Sequence, residues 1–520
     1  MKIKSLNSTQ NSIVQQNSNL SSYLKHLYYK GRDATPPSWF YEDLKADALV
    51  SIVTQMYRKL NRGTFEELFN QVEEKNLEKF GPQGAVPPFL SKAFQEVLEP
   101  VYEPSKFNNE LELQHFFQDT KLFAEYCFGP RLMTKRRKSF KSVIDDMSDR
   151  DTLSSNSGWP RFTSRKHVRQ VEEADAQLLS ALTYPAILLG RQYHGKLRPV
   201  WMYPMSMNLL EYQFSQVIQD ALRTSPNVEV RSHLSPWEGY EDVKINLTKT
   251  WKPGEHILGG DTTKMDAHMR RAQIRLVYEI VKWLFQKSEW DQLYTVIMHV
   301  CDIELVVGPN QKLVGYHGLA SGSGWTQLTE TILVLYLLWI NKQHTSMGIG
   351  DDFEVVTDKQ AEWLVAMLAA FGLPAKEEKQ TDSLVYLDFL QRRNAQGFFS
   401  RENKKILGGY YSMIRALNSL KLPEKFHKPT LWNSDMYNVR LYMILENLVD
   451  DPGFEQFVLW AVKGQKDSIA FALKSTDELA QILKQSRLLP GLNPSYNQEK
   501  RTKPLSSFAS IQLVRKRYAG

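Results

Sequence analysis

A Gly-Asp-Asp triplet at residues 350–352 sits between two short apolar runs, 347–349 and 353–356. This is the tightest constraint in the sequence. Two such runs around a turn read as a β-hairpin. Glycine supplies the tight turn, and aspartate is a good turn residue in its own right. Two adjacent carboxylates at a hairpin tip nevertheless repel each other. The second reading is therefore a site for a magnesium-like cation, which takes one or two carboxylates plus water and phosphate oxygens. Alone the triplet is a weak signal, expected by chance in roughly one chain in twenty of this size.

Two further segments bear on the same chemistry. Residues 257–258 are apolar and lead into Asp261-Thr262-Thr263-Lys264-Met265-Asp266; Ile274, Val277, Val281 and Leu284 then recur at helical spacing. Asp261 is thus either a helix N-cap or a third carboxylate that completes a site for two metal ions about 4 Å apart. Ser321-Gly322-Ser323-Gly324-Trp325-Thr326 runs into the apolar stretch 332–340. It reads as an ordinary turn or as a mobile loop that lets backbone approach a nucleic acid.

The rest of the chain supplies a frame. Helical patterns are expected near 44–60, 208–222 and 436–448, and a strand near 186–189 followed by a turn-rich basic stretch to Arg198. Loops are expected over 145–170, and residues 1–22, rich in Asn, Ser and Gln, read as polar and partly extended. Thr357 with Gln360, and Ser475 with Glu478, are spaced as capping boxes. Val385, Leu387 and Phe389 alternate as a strand, and the Pro-containing last thirty residues read as an extended tail. The sum is an α+β chain: a small antiparallel sheet in the middle, with mainly helical material on either side.

At 520 residues, with 42% apolar and 24% charged side chains, the chain is long enough for several packed units. Cys127 and Cys301 are too few and too distant for a disulfide framework or a zinc pattern. No signal segment is legible, and 332–340 is too short to cross a bilayer, so a soluble intracellular protein without a membrane partner is expected. The net charge of +7 is modest, but basic residues cluster at 135–141, 161–169 and 515–517. Such clusters are usually solvated faces; with 12% aromatic residues they also suit a nucleic-acid channel.

The order of the three acidic and Gly/Ser segments resembles motifs A, B and C of the viral RNA-directed RNA polymerases. The flanking residues, 259–269 and 319–327, most resemble the picobirnavirus polymerases, with the partitivirus polymerases next. The likeness extends to Arg191, Lys196 and Arg198 (motif F), to Ser157-Gly158-Trp159-Pro160 (motif G), to Lys379 with Lys376 as its rival (motif D), and to Asp388-Phe389-Leu390-Gln391-Arg392 (motif E). It covers roughly residues 157–392.

That resemblance implies a right-hand polymerase with fingers, palm and thumb, a small antiparallel palm sheet and a mainly helical thumb. It divides the chain into an N-terminal segment bridging fingers and thumb (1–95), fingers with part of the palm (96–255), palm with a fingers insertion near 285–318 (256–400), and thumb with tail (401–520). It implies replication and transcription of a viral RNA genome from NTPs. Asp261, Asp351 and Asp352 would hold Mg²⁺, for which Mn²⁺ substitutes, with Lys379 as general acid. Arg191, Lys196, Arg198, Asp266, Ser321, Gly322 and Thr326 would bind the incoming NTP. Ser157, Gly158, Pro160, Gln391 and Arg392 would contact template or product.

RNA template, RNA product and NTPs are the implied partners, with a capsid protein beside a monomeric enzyme, in host cytoplasm and virion interior. One residue departs from the pattern: Glu330 stands where many family members carry an Asn that works with Asp266 on the ribose 2′-hydroxyl. An acid there repels Asp266 unless a proton or cation intervenes. Two other classes compete. A reverse transcriptase needs a bulky residue near the second motif A aspartate, where this chain has Ala267. A non-catalytic RNA-binding protein leaves the ordered aspartates unexplained.

Overall fold

The computed structural model describes residues 1–150, 152–425, 430, 432–486 and 503–519. Eleven strands are described: β1 Lys2–Ser5, β2 Ala186–Tyr193, β3 Lys196–Met202, β4 Ile257–Asp261, β5 Leu305–Gly308, β6 Gln311–Val314, β7 Ser346–Ile349, β8 Asp352–Val356, β9 Thr381–Ser383, β10 Tyr386–Phe389 and β11 Arg392–Ala395. They form a five-stranded sheet in the order β1-β6-β5-β2-β3, a four-stranded sheet β7-β8-β4-β9, and the β10–β11 hairpin. Helices surround the sheets and make up most of the C-terminal region.

The four-stranded sheet is antiparallel throughout. Ile257, Leu258, Met347, Phe353 and Val355 bury its apolar positions. Gly259 and Gly260 in β4 are small because neighbours occupy the space beside them: a Cβ on Gly260 would stand 2.3 Å from the Phe353 ring. Gly260→Ala is therefore expected to overpack the sheet at a cost of about 1–3 kcal/mol. The check is a thermal melt, and an unchanged midpoint would refute this account.

The residues expected to be extended at the N-terminus are ordered. β1 pairs with β6 from Lys2 opposite Val314 to Ser5 opposite Gln311. Two helices follow, Ser8–Gln16 and Ser18–Tyr29, because the Asn residues act as caps: Asn7 makes a capping box with Gln10, and the Asn17 side chain accepts from the Leu20 amide. Leu20, Leu24 and Leu27 then recur at helical spacing and are buried.

The basic stretch read as turns is strand β3, paired with β2 from Tyr193 opposite Lys196 to Ile187 opposite Met202. Pro199 fits because β3 is an edge strand. Within 145–170, helices Phe140–Asp149 and Arg165–Gln177 replace part of the expected loop.

A second core unites the helix Ala46–Arg58 with the C-terminal helices through Leu49, Val53, Leu417, Leu441, Ile444 and Phe457. Glu73, fully buried, caps the helix Met413–Lys421 from outside: it accepts from the amides of Met413 and Ile414 and the hydroxyls of Tyr410 and Ser412. The N-terminal segment thus touches both the five-stranded sheet and the C-terminal core.

Two local expectations change. The helix Ala361–Ala370 begins without a capping box; the Asp382 carboxylate accepts from the Ala361 amide instead. Ser475 and Glu478 do make theirs. The described part of the tail is not extended: Ala509–Tyr518 is a helix, with Glu446 accepting from the Ala509 and Ser510 amides and Arg515 donating to the carbonyls of Ala472 and Lys474. Pro490 and Pro494 lie outside the described residues.

Candidate active site

Antiparallel pairing sets Asp261 at the end of β4 directly opposite Asp352 at the start of β8, and Asp351 is the preceding residue of the hairpin turn. The turn depends on Gly350, whose φ is +63° and whose amide donates to Thr331 Oγ1 at 2.8 Å. Helix Thr326–Ile340 therefore pins the hairpin tip from behind. Gln380 clamps the other strand: its side chain accepts from the Asp261 amide and donates to the Asp261 carbonyl, both at 2.9 Å.

These three carboxylates lie in one cleft of about 1090 Å³. The same cleft is lined by Arg191, Lys196, Arg198, Lys379, Gln391 and Arg392. Asp351 is open to the cleft yet walled by protein. Burial first, and then the Asp261 carboxylate, hold it above the usual carboxylate range, against Arg198. Asp352 is pushed up to about 8 by burial and then by Asp351. Its Oδ2 also accepts from the Leu390 amide at 3.1 Å. Crowded acids of this kind favour either a bound proton or a cation. Among the described residues no three His, Cys, Asp or Glu side chains form a ready metal cage. The donor chemistry nonetheless fits: a few carboxylate oxygens facing an open cleft is what magnesium takes, with water and phosphate supplying the rest.

The cationic side of the cleft is built on β2 and β3. Arg191 and Arg198 are directly opposite one another, and like charges so placed repel. Arg191 resolves this by a two-pronged ion pair with Glu424, at 2.5 and 3.0 Å. Arg198 acts instead on Asp351 and Asp266, lowering the proton affinity of both. Lys379 lines the cleft beside Asp261, whereas its rival Lys376 is 4.0 Å from Glu378 and is not part of the lining.

The model of the family described as viral RNA-dependent RNA polymerase matches residues 193–424, a span that holds all three aspartates. Residues 193–424 are thus similar to this family. A potential RNA-dependent RNA polymerase from a human picobirnavirus is 27% identical over 353 residues, 62% of this chain; the match spans 64% of that relative's length. A crystal structure of the RNA-dependent RNA polymerase of a human picobirnavirus superposes with a TM-score of 0.77 at 20% identity, covering 99% of this chain and 100% of that one. An insertion-loop deletion mutant of that polymerase gives the same values. The shared fold is the right-hand polymerase fold, α+β.

Not every residue singled out in this chain lines the cleft. Asp266, on the short helix Met265–His268, is half-buried and meets Glu330 by a side-chain hydrogen bond. Thr326 spends its hydroxyl on the carbonyls of Ala320 and Ser323. Ser321 accepts from the Trp201 amide through its carbonyl, and a Cβ on Gly322 would lie 2.1 Å from the Trp201 carbonyl. Ser157 and Gly158 are buried and Pro160 half-buried. Ser157 and Gly158 thus sit inside the fold, against the loop before helix Met205–Arg223: the Ser157 carbonyl accepts from the Met205 amide.

Leu390 and Gln391 both have positive φ, +51° and +63°, in the two-residue turn joining β10 to β11. That strained turn is the one whose amide holds Asp352. Arg392 is buried, stacked on Tyr240 and Tyr411 and donating to Asn447.

Lys75 and Lys79, which sequence reasoning passes over, also line the cleft, beside Lys196 and Arg415. Lys79 is depressed by burial and by its cationic neighbours. Their only sequence signal is four-residue spacing at the end of helix Glu66–Leu77. Conversely, the cluster at 135–141 is partly consumed by structure: Arg136 bonds Gln286, Arg137 bonds Glu289, and Lys138 bonds Asp220. Cys127 and Cys301 are free and buried. No described helix is long and apolar enough to cross a membrane.

Proposed function

We propose that this chain copies an RNA template, joining NTPs to the 3′-hydroxyl of a growing RNA strand in the cleft between the three aspartates and the β2–β3 cations. The observation that carries the reading is the pairing of Asp261 opposite Asp352, beside Asp351, on the floor of a cation-lined cleft. Asp261 and Asp351, assisted by Asp352, hold divalent magnesium or manganese. When bound, such ions acidify the attacking hydroxyl and neutralise the departing pyrophosphate.

The chain's own residues do the rest. The 3′-hydroxyl gives up its proton to solvent, the new bond joins the 3′-oxygen to the α-phosphorus, and the bond from that phosphorus to the β-phosphate bridging oxygen breaks, releasing pyrophosphate. Lys196 and Arg198 bind the triphosphate oxygens as charge-assisted donors. Arg191 joins them once it releases Glu424. Lys379 gives a proton to the leaving pyrophosphate. Asp266 with Glu330, and the loop 321–326, face the ribose. Gln391 and Arg392 support the product end, and the loop at 157–160 guides the template. Catalysis is by position and charge, so base pairing supplies sequence fidelity.

On this reading, residues 96–255 are fingers with part of the palm, 256–400 the palm with its fingers insertion, and 401–520 the thumb. Residues 1–95 tie fingers to thumb, and the double contact of that segment with sheet and C-terminal core supports this. The likeness to a picobirnavirus protein extends the proposal to a monomeric enzyme working with a capsid protein, in cytoplasm and virion interior.

The test is extension of a labelled primer on an RNA template. Incorporation should require Mg²⁺ or Mn²⁺, vanish with EDTA, return on adding metal, and strongly prefer UTP to dTTP. Equal use of dTTP would favour a reverse transcriptase; RNA binding without synthesis under any metal would overturn the reading.

A further inference from the structure

We infer that Glu211 is a positioning residue: it locks the Ser323–Gly324 loop and couples it to the loop around residues 155–165. The inference rests on the polymerase reading above. Glu211 lies on helix Met205–Arg223 and is fully buried. Its Oε1 accepts from the Ser323 hydroxyl at 2.5 Å, and its Oε2 accepts from the Gly324 amide at 2.7 Å and from Asn208 Nδ2 at 3.0 Å. A buried carboxylate is costly unless its lone pairs are filled, and here three donors converge on it. Two of the three belong to the loop that enters helix Thr326–Ile340.

The third leads elsewhere. Asn208 Oδ1 accepts from Arg165 Nη2 at 2.8 Å, and Arg165 Nε donates to the Asn156 carbonyl at 3.2 Å. The chain Asn156–Arg165–Asn208–Glu211–Ser323 therefore joins the two loops without passing through any of the three cleft aspartates. Ser323 also accepts from the Trp325 amide at 3.1 Å, which leaves its hydroxyl proton for Glu211. Nor is there slack at the next residue: a Cβ on Gly324 would fall 2.6 Å from the Tyr212 ring and 3.2 Å from Glu211 Oε2. Burial raises Glu211 to about 7, and the hydrogen bonds from Ser323, Gly324 and Asn208 work against that shift by favouring its charged form. Hydrogen-bond networks of this kind bind their ends together more than the sum of their parts.

The experiment is steady-state primer extension with the full chain, comparing Glu211→Gln, Ser323→Ala, Arg165→Lys and the double variant Ser323→Ala/Arg165→Lys, each checked by thermal melting. On the polymerase reading this loop faces the ribose, so misplacing it is expected to lower kcat about tenfold to a hundredfold. The KM for NTP should move less than about threefold, because the triphosphate cations are untouched. Glu211→Gln keeps the shape and one acceptor, so it should lie between wild type and Ser323→Ala/Arg165→Lys. The double variant should be no worse than the poorer single one, since both break the same chain.

Wild-type kcat in Ser323→Ala and Glu211→Gln would overturn the inference, as would strictly additive losses in the double variant. If the wild-type chain itself extends no primer, it is the polymerase reading that has failed.

Discussion

Replacing Asp351 with asparagine should reduce templated incorporation by about three to four orders of magnitude, the rate equivalent of about 4–5 kcal/mol of lost charge stabilisation. The same change should leave the fold intact and make the metal-free protein more resistant to unfolding. Both outcomes come from one crowd of carboxylates. Asp351 faces Asp261 and raises the proton affinity of Asp352, which burial and then Asp351 push up to about 8. A carboxyl raised in the folded state contributes stability that is fully present at low pH, below the unfolded value. That stability is lost as pH climbs through about 8. Asp351→Asn removes one cause of the shift, so the decline in stability between acid and neutral pH should shrink. Activity measured with saturating Mg²⁺, together with melting curves at several pH values in EDTA, checks both halves. Near-normal turnover in the variant would remove Asp351 from the site altogether.

The hairpin that carries Asp351 is legible because every signal for it is local: a glycine, two turn-forming acids, and an apolar run on each side. Asp261 can be placed at a strand end, but its partnership with Asp352 is a register fact, set by pairing with a strand far along the chain. The N-terminal segment misleads because its Asn and Ser content reads as extended, polar chain. Asn7 and Asn17 are helix caps, and the apolar spacing of Leu20, Leu24 and Leu27 is the better guide. β3 misleads because Gly195 and Pro199 look like turn residues; only knowledge that β3 lies at a sheet edge makes Pro199 ordinary there. The last helix is hidden by the prolines that precede it, and it is held by Glu446 and by the carbonyls of Ala472 and Lys474 rather than by signals of its own. Arg191 shows the limit on the site itself. Its residue type suits a phosphate, yet its pairing with Glu424 depends on a contact 233 residues away.

Glu330 is the residue for which three-dimensional information alters the expectation most, and it yields the second large effect. It is 6% exposed and lies in helix Thr326–Ile340, with Oε2 3.1 Å from where a Cβ on Gly350 would be. Burial, then Asp266 and Asp351, hold its carboxyl well above the usual range, while Asp266 is pushed up to about 6 chiefly by its own burial. The two side chains are hydrogen-bonded to each other. An ionised carboxylate has no hydrogen to donate, so one proton must lie between them. A neutral Glu330 then presents Asp266 with an O–H where an asparagine would present an N–H. The repulsion anticipated from sequence is replaced by an attraction. Glu330→Gln should therefore keep both turnover and the preference for UTP over dTTP, because the amide restores a neutral donor of similar length. Glu330→Ala removes the donor that favours the charged Asp266 and leaves that side chain free to turn away, and the preference should fall by at least about a hundredfold, since a site built around a hydroxyl loses its discrimination when that hydrogen bonding is lost. Competing incorporation of UTP and dTTP opposite a template adenine measures the ratio directly. If the glutamine variant loses discrimination as completely as the alanine variant, the shared proton is not what Asp266 needs. The acid at position 330 would then act through its charge, on a cation that neither the residues nor their spacing identifies.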